Sequence, residues 1–112
     1  MNSKNYKFII TDKAKNDLDE IVRYIAFELA APSAASSFLD QFLEAVQLIC
    51  SFPESCSFID NDFVPANTVR HKVIGNYVLY YLPNHQQRTC TVIRILYGKR
   101  NIKEILTDQD SE

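Results

Sequence analysis

The chain has 112 residues, 46% of them hydrophobic and 23% charged, with seven Phe, six Tyr and no Trp, which supplies one hydrophobic core and too little length for two. No apolar run reaches the ~18 residues that crossing a bilayer requires, and Met1-Asn2-Ser3-Lys4-Asn5 leads into a short apolar stretch without a secretory pattern, so the expectation is one cytoplasmic domain over residues 1–112. The net charge of −2 conceals an asymmetry: residues 1–63 carry five basic and ten acidic side chains, residues 64–106 seven basic and one acidic, and the last six residues three acidic.

Tyr6-Lys7-Phe8-Ile9-Ile10 combines aromatic and β-branched residues and predicts a short strand. Thr11 or Asp12 can cap the helix that follows, because either side chain accepts from the unpaired N–H groups of a first turn. Leu18, Ile21, Val22, Ile25 and Leu29 then recur at helical spacing along one face. Pro32 disfavours helical geometry in the residue before it and ends this helix near Ala30. A second helix starts at Pro32 or Ser33. Phe38, Phe42, Ala45, Val46 and Ile49 form its apolar stripe, widened by Leu39 and Leu43, and Phe52-Pro53 closes it. So short a connection predicts an antiparallel helical hairpin.

Residues 53–65 read as a loop. Thr68–Ile74, Tyr77–Leu82 and Cys90–Leu96 are three β-rich runs; Gly75-Asn76 is a two-residue hairpin signal between the first two, and Pro83-Asn84 opens the next turn. The order β, α, α, β, β, β predicts an α+β domain of two layers, with the hairpin packed on a mostly antiparallel sheet. Cys50, Cys56 and Cys90 lack zinc-like or redox spacing and read as reduced, buried thiols. Gly75 and Gly98 stand alone and form no phosphate loop, so neither a metal nor a cofactor is expected.

Four segments in this order resemble the RelE/ParE toxins of type II toxin–antitoxin systems, most nearly the ParE branch. They are Asn16 to Ile25 in the first helix, Phe52-Pro53-Glu54, Val69-Arg70 through Gly75 to Tyr81, and Val92-Ile93-Arg94-Ile95-Leu96-Tyr97-Gly98-Lys99-Arg100. The resemblance implies a toxin of a plasmid-stabilisation or addiction module that arrests growth. Such toxins are held by a cognate antitoxin, whose C-terminal segment wraps them in a hetero-oligomer. It also leaves the effector activity open between branches. ParE-like members inhibit DNA gyrase, whereas RelE-like members act as mRNA interferases on the ribosome, cutting mRNA without metal.

Metal-free RNA cleavage needs a base, an acid and cations around the developing phosphorane charge. Arg100 matches the family arginine of the Gly-Lys-Arg segment. Val78, directly after Tyr77, stands where RelE-like enzymes place a phosphate-binding arginine. Leu106 falls near the position of their C-terminal tyrosine, and Leu96 where histidine-dependent relatives carry histidine. A ribonuclease would have to draw on Arg100, Lys72, His71 and Tyr97, the last a phenol beside two cations. Strand alternation puts His71 on the face opposite Arg70 and Lys72, and Tyr80 opposite Tyr77 and Tyr81. Arg94, between Ile93 and Ile95, is expected on an exposed sheet face. Three readings follow. The favoured one is a ParE-like, protein-binding gyrase poison, not an enzyme, with Arg70, Arg94, Lys99 and Arg100 on its effector surface; the others are a ribosome-dependent endoribonuclease and a non-toxic antitoxin-binding scaffold.

Overall fold

A computed structural model describes residues 5–59 and 68–98. Strand β1 covers Lys7–Ile10 and turns Phe8 towards the helices, where its ring meets Phe42 edge-on at 6.3 Å. Thr11 then does two jobs. Its hydroxyl oxygen accepts from the Ala14 amide at 3.1 Å, capping helix α1 (Asp12–Arg23), while its O–H donates to the Ile93 carbonyl at 3.1 Å. The start of α1 is thereby tied to the last strand of the described residues.

α1 buries Ala14, Asp17 and Ile21. It does not continue as an α-helix to Ala30. Tyr24–Glu28 is a π-helical turn, with the Leu29 amide bonded to the Tyr24 carbonyl at 3.0 Å. The residue this adds to the turn changes the phase of the stripe. Ile25 remains buried, but Leu29, expected on the core side, faces outward, as does Phe27 at 78% exposure. Ala30 takes up the reversal with φ +50°, a left-handed conformation unusual for a residue with a Cβ. Helix α2 runs from Pro32 to Ser51 with proline in its first turn, where no amide donor is lost. Its buried face is Ala35, Phe38, Phe42, Ala45, Val46, Ile49 and Cys50; Leu39 and Leu43, expected to widen that face, are exposed.

Strands β2 (Arg70–Ile74), β3 (Tyr77–Asn84) and β4 (Thr89–Tyr97) complete a four-stranded sheet in the order β1-β4-β3-β2. β1 pairs parallel with β4, and the other two pairings are antiparallel. Gly75 makes the β2–β3 turn with φ +59°, a conformation glycine adopts without steric cost. Between Tyr80 and Tyr81 the β3–β4 register slips: Tyr80 opposes Arg94 while Tyr81 opposes Val92, leaving Ile93 as the extra residue of a bulge. Across that bulge both Val92 and Ile95 reach the core, three residues apart.

The helices cover one face of the sheet. Ile49, Leu79, Tyr81, Val92 and Ile95 meet between the layers with no measurable exposure, each burial contributing roughly 1.5–3 kcal/mol. Cys50 and Cys90 lie in this core as free thiols and Cys56 is half-buried. Among the described residues no helix is long and apolar enough to cross a membrane, and no cluster of potential metal ligands occurs.

Candidate functional site

β1 stops pairing at Ile10, so β4 from Ile93 onward has an open edge. α1 closes it. The Asp17 carboxylate, presented from the buried stripe of the helix, accepts the Ile95 amide at 3.0 Å and takes Arg94 in a two-point fork, Nε at 2.8 Å and Nη2 at 3.0 Å. Arg94 is 7% exposed. The expectation that it lies on an open effector face is therefore corrected: strand alternation sets Arg94 apart from Ile95, but a helical acid covers it. No local pattern around Arg94 announces this. The available signal is in α1, where a carboxylate falls in register with Ala14, Ile21 and Ile25.

Arg94 pairs across the sheet with Tyr80, and Tyr80 with His71; Tyr80 and His71 share the face away from the helices, whereas the Arg94 side chain is drawn onto Asp17 of α1. Burial raises the Tyr80 phenol above its ordinary value, disfavouring its use as a base. His71 Nδ1 is buried without a hydrogen-bond partner. Arg70 and Lys72 face the other way, beside Tyr81 and Leu79, as alternation predicts.

Arg70 is half-buried and committed to its own chain. Its Nη1 donates to the Cys56 carbonyl at 2.5 Å and its guanidinium sits 3.8 Å over the Phe58 ring. Together with backbone bonds from the His71 amide to the Ser57 carbonyl (3.0 Å) and from the Ile59 amide to the Val69 carbonyl (2.8 Å), it pins residues 56–59 along the start of β2. Lys72 lines a cleft of about 400 Å³ between α2 and β2, with Gln41, Glu44, Leu48 and Val73.

Tyr97 pairs with Tyr77, and the rings meet at 5.9 Å and 71°. With Glu20 and Tyr24 they line a second cleft, whose floor carries the Asp17–Arg94 pair. Burial raises the Tyr77 phenol first, and the neighbouring Tyr24 and Tyr97 phenols add to the effect. At the opposite end the Tyr6 hydroxyl meets His85 Nδ1 at 2.5 Å, and His85 Nε2 lies 3.2 Å from Glu54. His85 thereby links β1's approach to the loop after α2. Lys99 and Arg100 lie outside the described residues.

Of the four residues assigned to a ribonuclease, Lys72 and Tyr97 are on the helix side of the sheet and His71 is on the other. The three do not converge on one reacting group. Glu20, Tyr24 and Asp17 were not singled out from the sequence as functional, because acidic and aromatic residues on a helix read as solvated surface or packing.

Solved structures that share the architecture include three toxin–antitoxin systems. One is a chromosomal ParDE toxin–antitoxin system from P. aeruginosa, 18% identical, covering 86% of this chain and 99% of that chain with a TM-score of 0.68. Another is the toxin–antitoxin complex RelBE2 from Mycobacterium tuberculosis, 15% identical over 83% of this chain and 91% of that one, TM-score 0.59. The third is an archaeal RelE–RelB complex from Pyrococcus horikoshii, 16% identical over 87% and 99%, TM-score 0.56. No curated protein matches the chain. The sequence model for the ParE toxin of the type II toxin–antitoxin system parDE matches residues 8–102, a stretch running from β1 through the Gly-Lys-Arg segment and taking in both helices and the whole sheet. A β-strand, a helical hairpin and three antiparallel strands, joined by an acid that locks the first helix to the last strand, are thus this chain's version of a known toxin, and it belongs to the ParE toxin family.

Proposed function

We propose that the chain is the toxin of a type II toxin–antitoxin pair and acts by binding DNA gyrase, not by cutting RNA. The observation that carries this is the division of the ribonuclease candidates between two faces of the sheet, His71 opposite to Lys72 and Tyr97. General acid–base cleavage needs its base, acid and cations within hydrogen-bond reach of one phosphate. Binding a protein has no such requirement. Lys99 and Arg100 are the cations assigned to the effector surface, since Arg94 and Arg70 are engaged internally.

A cognate antitoxin, as in the ParDE and RelE–RelB assemblies, would lie along the cleft between α2 and β2. There Leu48 and Val73 are exposed beside Lys72 and Glu44. Among the described residues nothing pairs with the outer edge of β2 beyond His71, so an extended segment can add there as a strand.

The test uses purified protein in two assays. Gyrase supercoiling is expected to be blocked, while mRNA on translating ribosomes stays intact. Arg100→Ala, with unchanged thermal stability, is expected to relieve the block by about tenfold or more, the loss of a charge-assisted contact. Translation-dependent mRNA ends with unaffected supercoiling would reverse the assignment.

A further inference from the structure

The cleft between the π-helical turn and the far ends of β3 and β4 has a volume of about 400 Å³ and is lined by Asp17, Glu20, Tyr24, Tyr77, Arg94 and Tyr97, with Ile21, Ile95 and Leu96 behind them. Two of its charges are already satisfied, because Arg94 is turned onto Asp17 through both nitrogens of its fork. Glu20 is not: it is exposed and makes no hydrogen bond or ion pair among the described residues. The net charge of the lining is therefore that of one carboxylate.

The walls are aromatic. Tyr77 and Tyr97 stand nearly at right angles, 5.9 Å apart, and Tyr24 supplies the third ring. Tyr24 and Tyr97 are about half exposed, two large aromatic surfaces around an acid that has no partner among the described residues. Tyr24 is also the first residue of the π-helical turn, a feature that occurs frequently at functional sites. Four residues after Glu20, it stands on the same side of the helix.

We propose that this cleft is a recognition pocket for an arginine side chain of a partner polypeptide. Tyrosine faces carry negative electrostatic potential, and a cation held between several of them beside a carboxylate gains from each. A guanidinium suits this cleft better than an ammonium. It is planar, stacks on one ring while its edge meets the perpendicular one, and donates two hydrogen bonds to Glu20 with little loss of hydration. Anions are disfavoured by the carboxylate and the ring faces, and a purely apolar side chain would bury Glu20 without a partner. The pocket does not depend on the identity of the effector, and its test does not use toxicity.

The full-length protein, labelled with 13C at tyrosine rings, is titrated with acetyl-Gly-Arg-Gly-amide and followed by NMR. Saturable shifts are expected in the rings of Tyr24, Tyr77 and Tyr97 and not in those of Tyr6, Tyr80 and Tyr81. The isosteric citrulline peptide, neutral at the same position, is expected to give none. Glu20→Gln and Tyr24→Leu alter exposed residues, so they keep the fold, and each is expected to weaken binding about fivefold. Equal shifts with citrulline, no saturation, or unchanged affinity in both variants would overturn the proposal. So would tighter binding of the matching lysine peptide, or movement of the three ring signals in Lys99→Gln/Arg100→Gln without any peptide, which would make the chain its own ligand.

Discussion

Replacing Arg94 by Ala is a severe test of the junction between α1 and β4. The Asp17 carboxylate holds three donors, two from Arg94 and one from the Ile95 amide, and the two side chains are 10% and 8% exposed. The substitution leaves one donor of three and a carboxylate that water reaches poorly. Removing one partner of a buried ion pair costs roughly 3–5 kcal/mol, and two charge-assisted hydrogen bonds at about 1.5–3 kcal/mol each give the same range. Against a typical domain stability of about 5–15 kcal/mol this is a large fraction. With a urea slope of about 1–3 kcal/mol/M, the unfolding midpoint should fall by on the order of 1–5 M at unchanged slope. The double variant Asp17→Leu/Arg94→Met, which removes both charges, should be more stable than either single one. That comparison separates the cost of an orphaned charge from the net value of the pair. A loss below about 1 kcal/mol for Arg94→Ala, the level of an exposed pair, would refute the claim that this junction is desolvated.

Two further outcomes follow from the core and the hairpin. Burial pushes the Cys90 thiol from 9.0 up to about 12 and raises the Tyr81 phenol as well. The unfolded chain ionises these groups at their ordinary values, so stability is complete below about pH 9 and falls as pH rises towards 12, by up to ~1.4 kcal/mol per pH unit for each group; a urea midpoint that stays flat from pH 8 to pH 11 would contradict this. Ala30→Gly relieves a left-handed alanine at φ +50°, a gain of about 1–2 kcal/mol offset by about 0.4–1 kcal/mol of added freedom in the unfolded chain. The melting temperature should hold or rise, and a drop equivalent to more than ~1 kcal/mol would show that the Ala30 methyl is packed.

Much of the architecture is legible because it is written in local periods. The α2 stripe from Phe38 to Ile49, the proline at its start and the Gly75-Asn76 turn each announce themselves within a few residues. So does the alternation that separates His71 from Lys72. The failures are of another kind. Leu29 follows the α-helical period, and the π-helical turn that displaces it leaves no composition signal between Tyr24 and Glu28. Arg94 alternates correctly with Ile95, yet the residue that buries it comes from Asp17, 77 positions earlier in the chain. The bulge at Ile93 is equally silent, since Val92-Ile93-Arg94-Ile95 reads as an unbroken strand. The site therefore divides along the same line: its strand faces can be read from sequence, and the clefts joining α1 to β4 cannot, because their members meet only in the fold.

The placement of the last strand has a consequence for how the molecule comes into being. β4 lies between β1 and β3, so among the described residues β1 has no neighbouring strand until β4 arrives. During synthesis the helices and the β2–β3 hairpin can form from local contacts, but β1, the Thr11 hydroxyl and the Asp17 carboxylate wait for partners at Thr89 to Ile95. Closing so long a loop is slow and costs entropy before any pairing compensates for it. The cleft between α2 and β2 needs no residue of β4, whereas the one between α1 and β4 forms only when Arg94 to Tyr97 are in place.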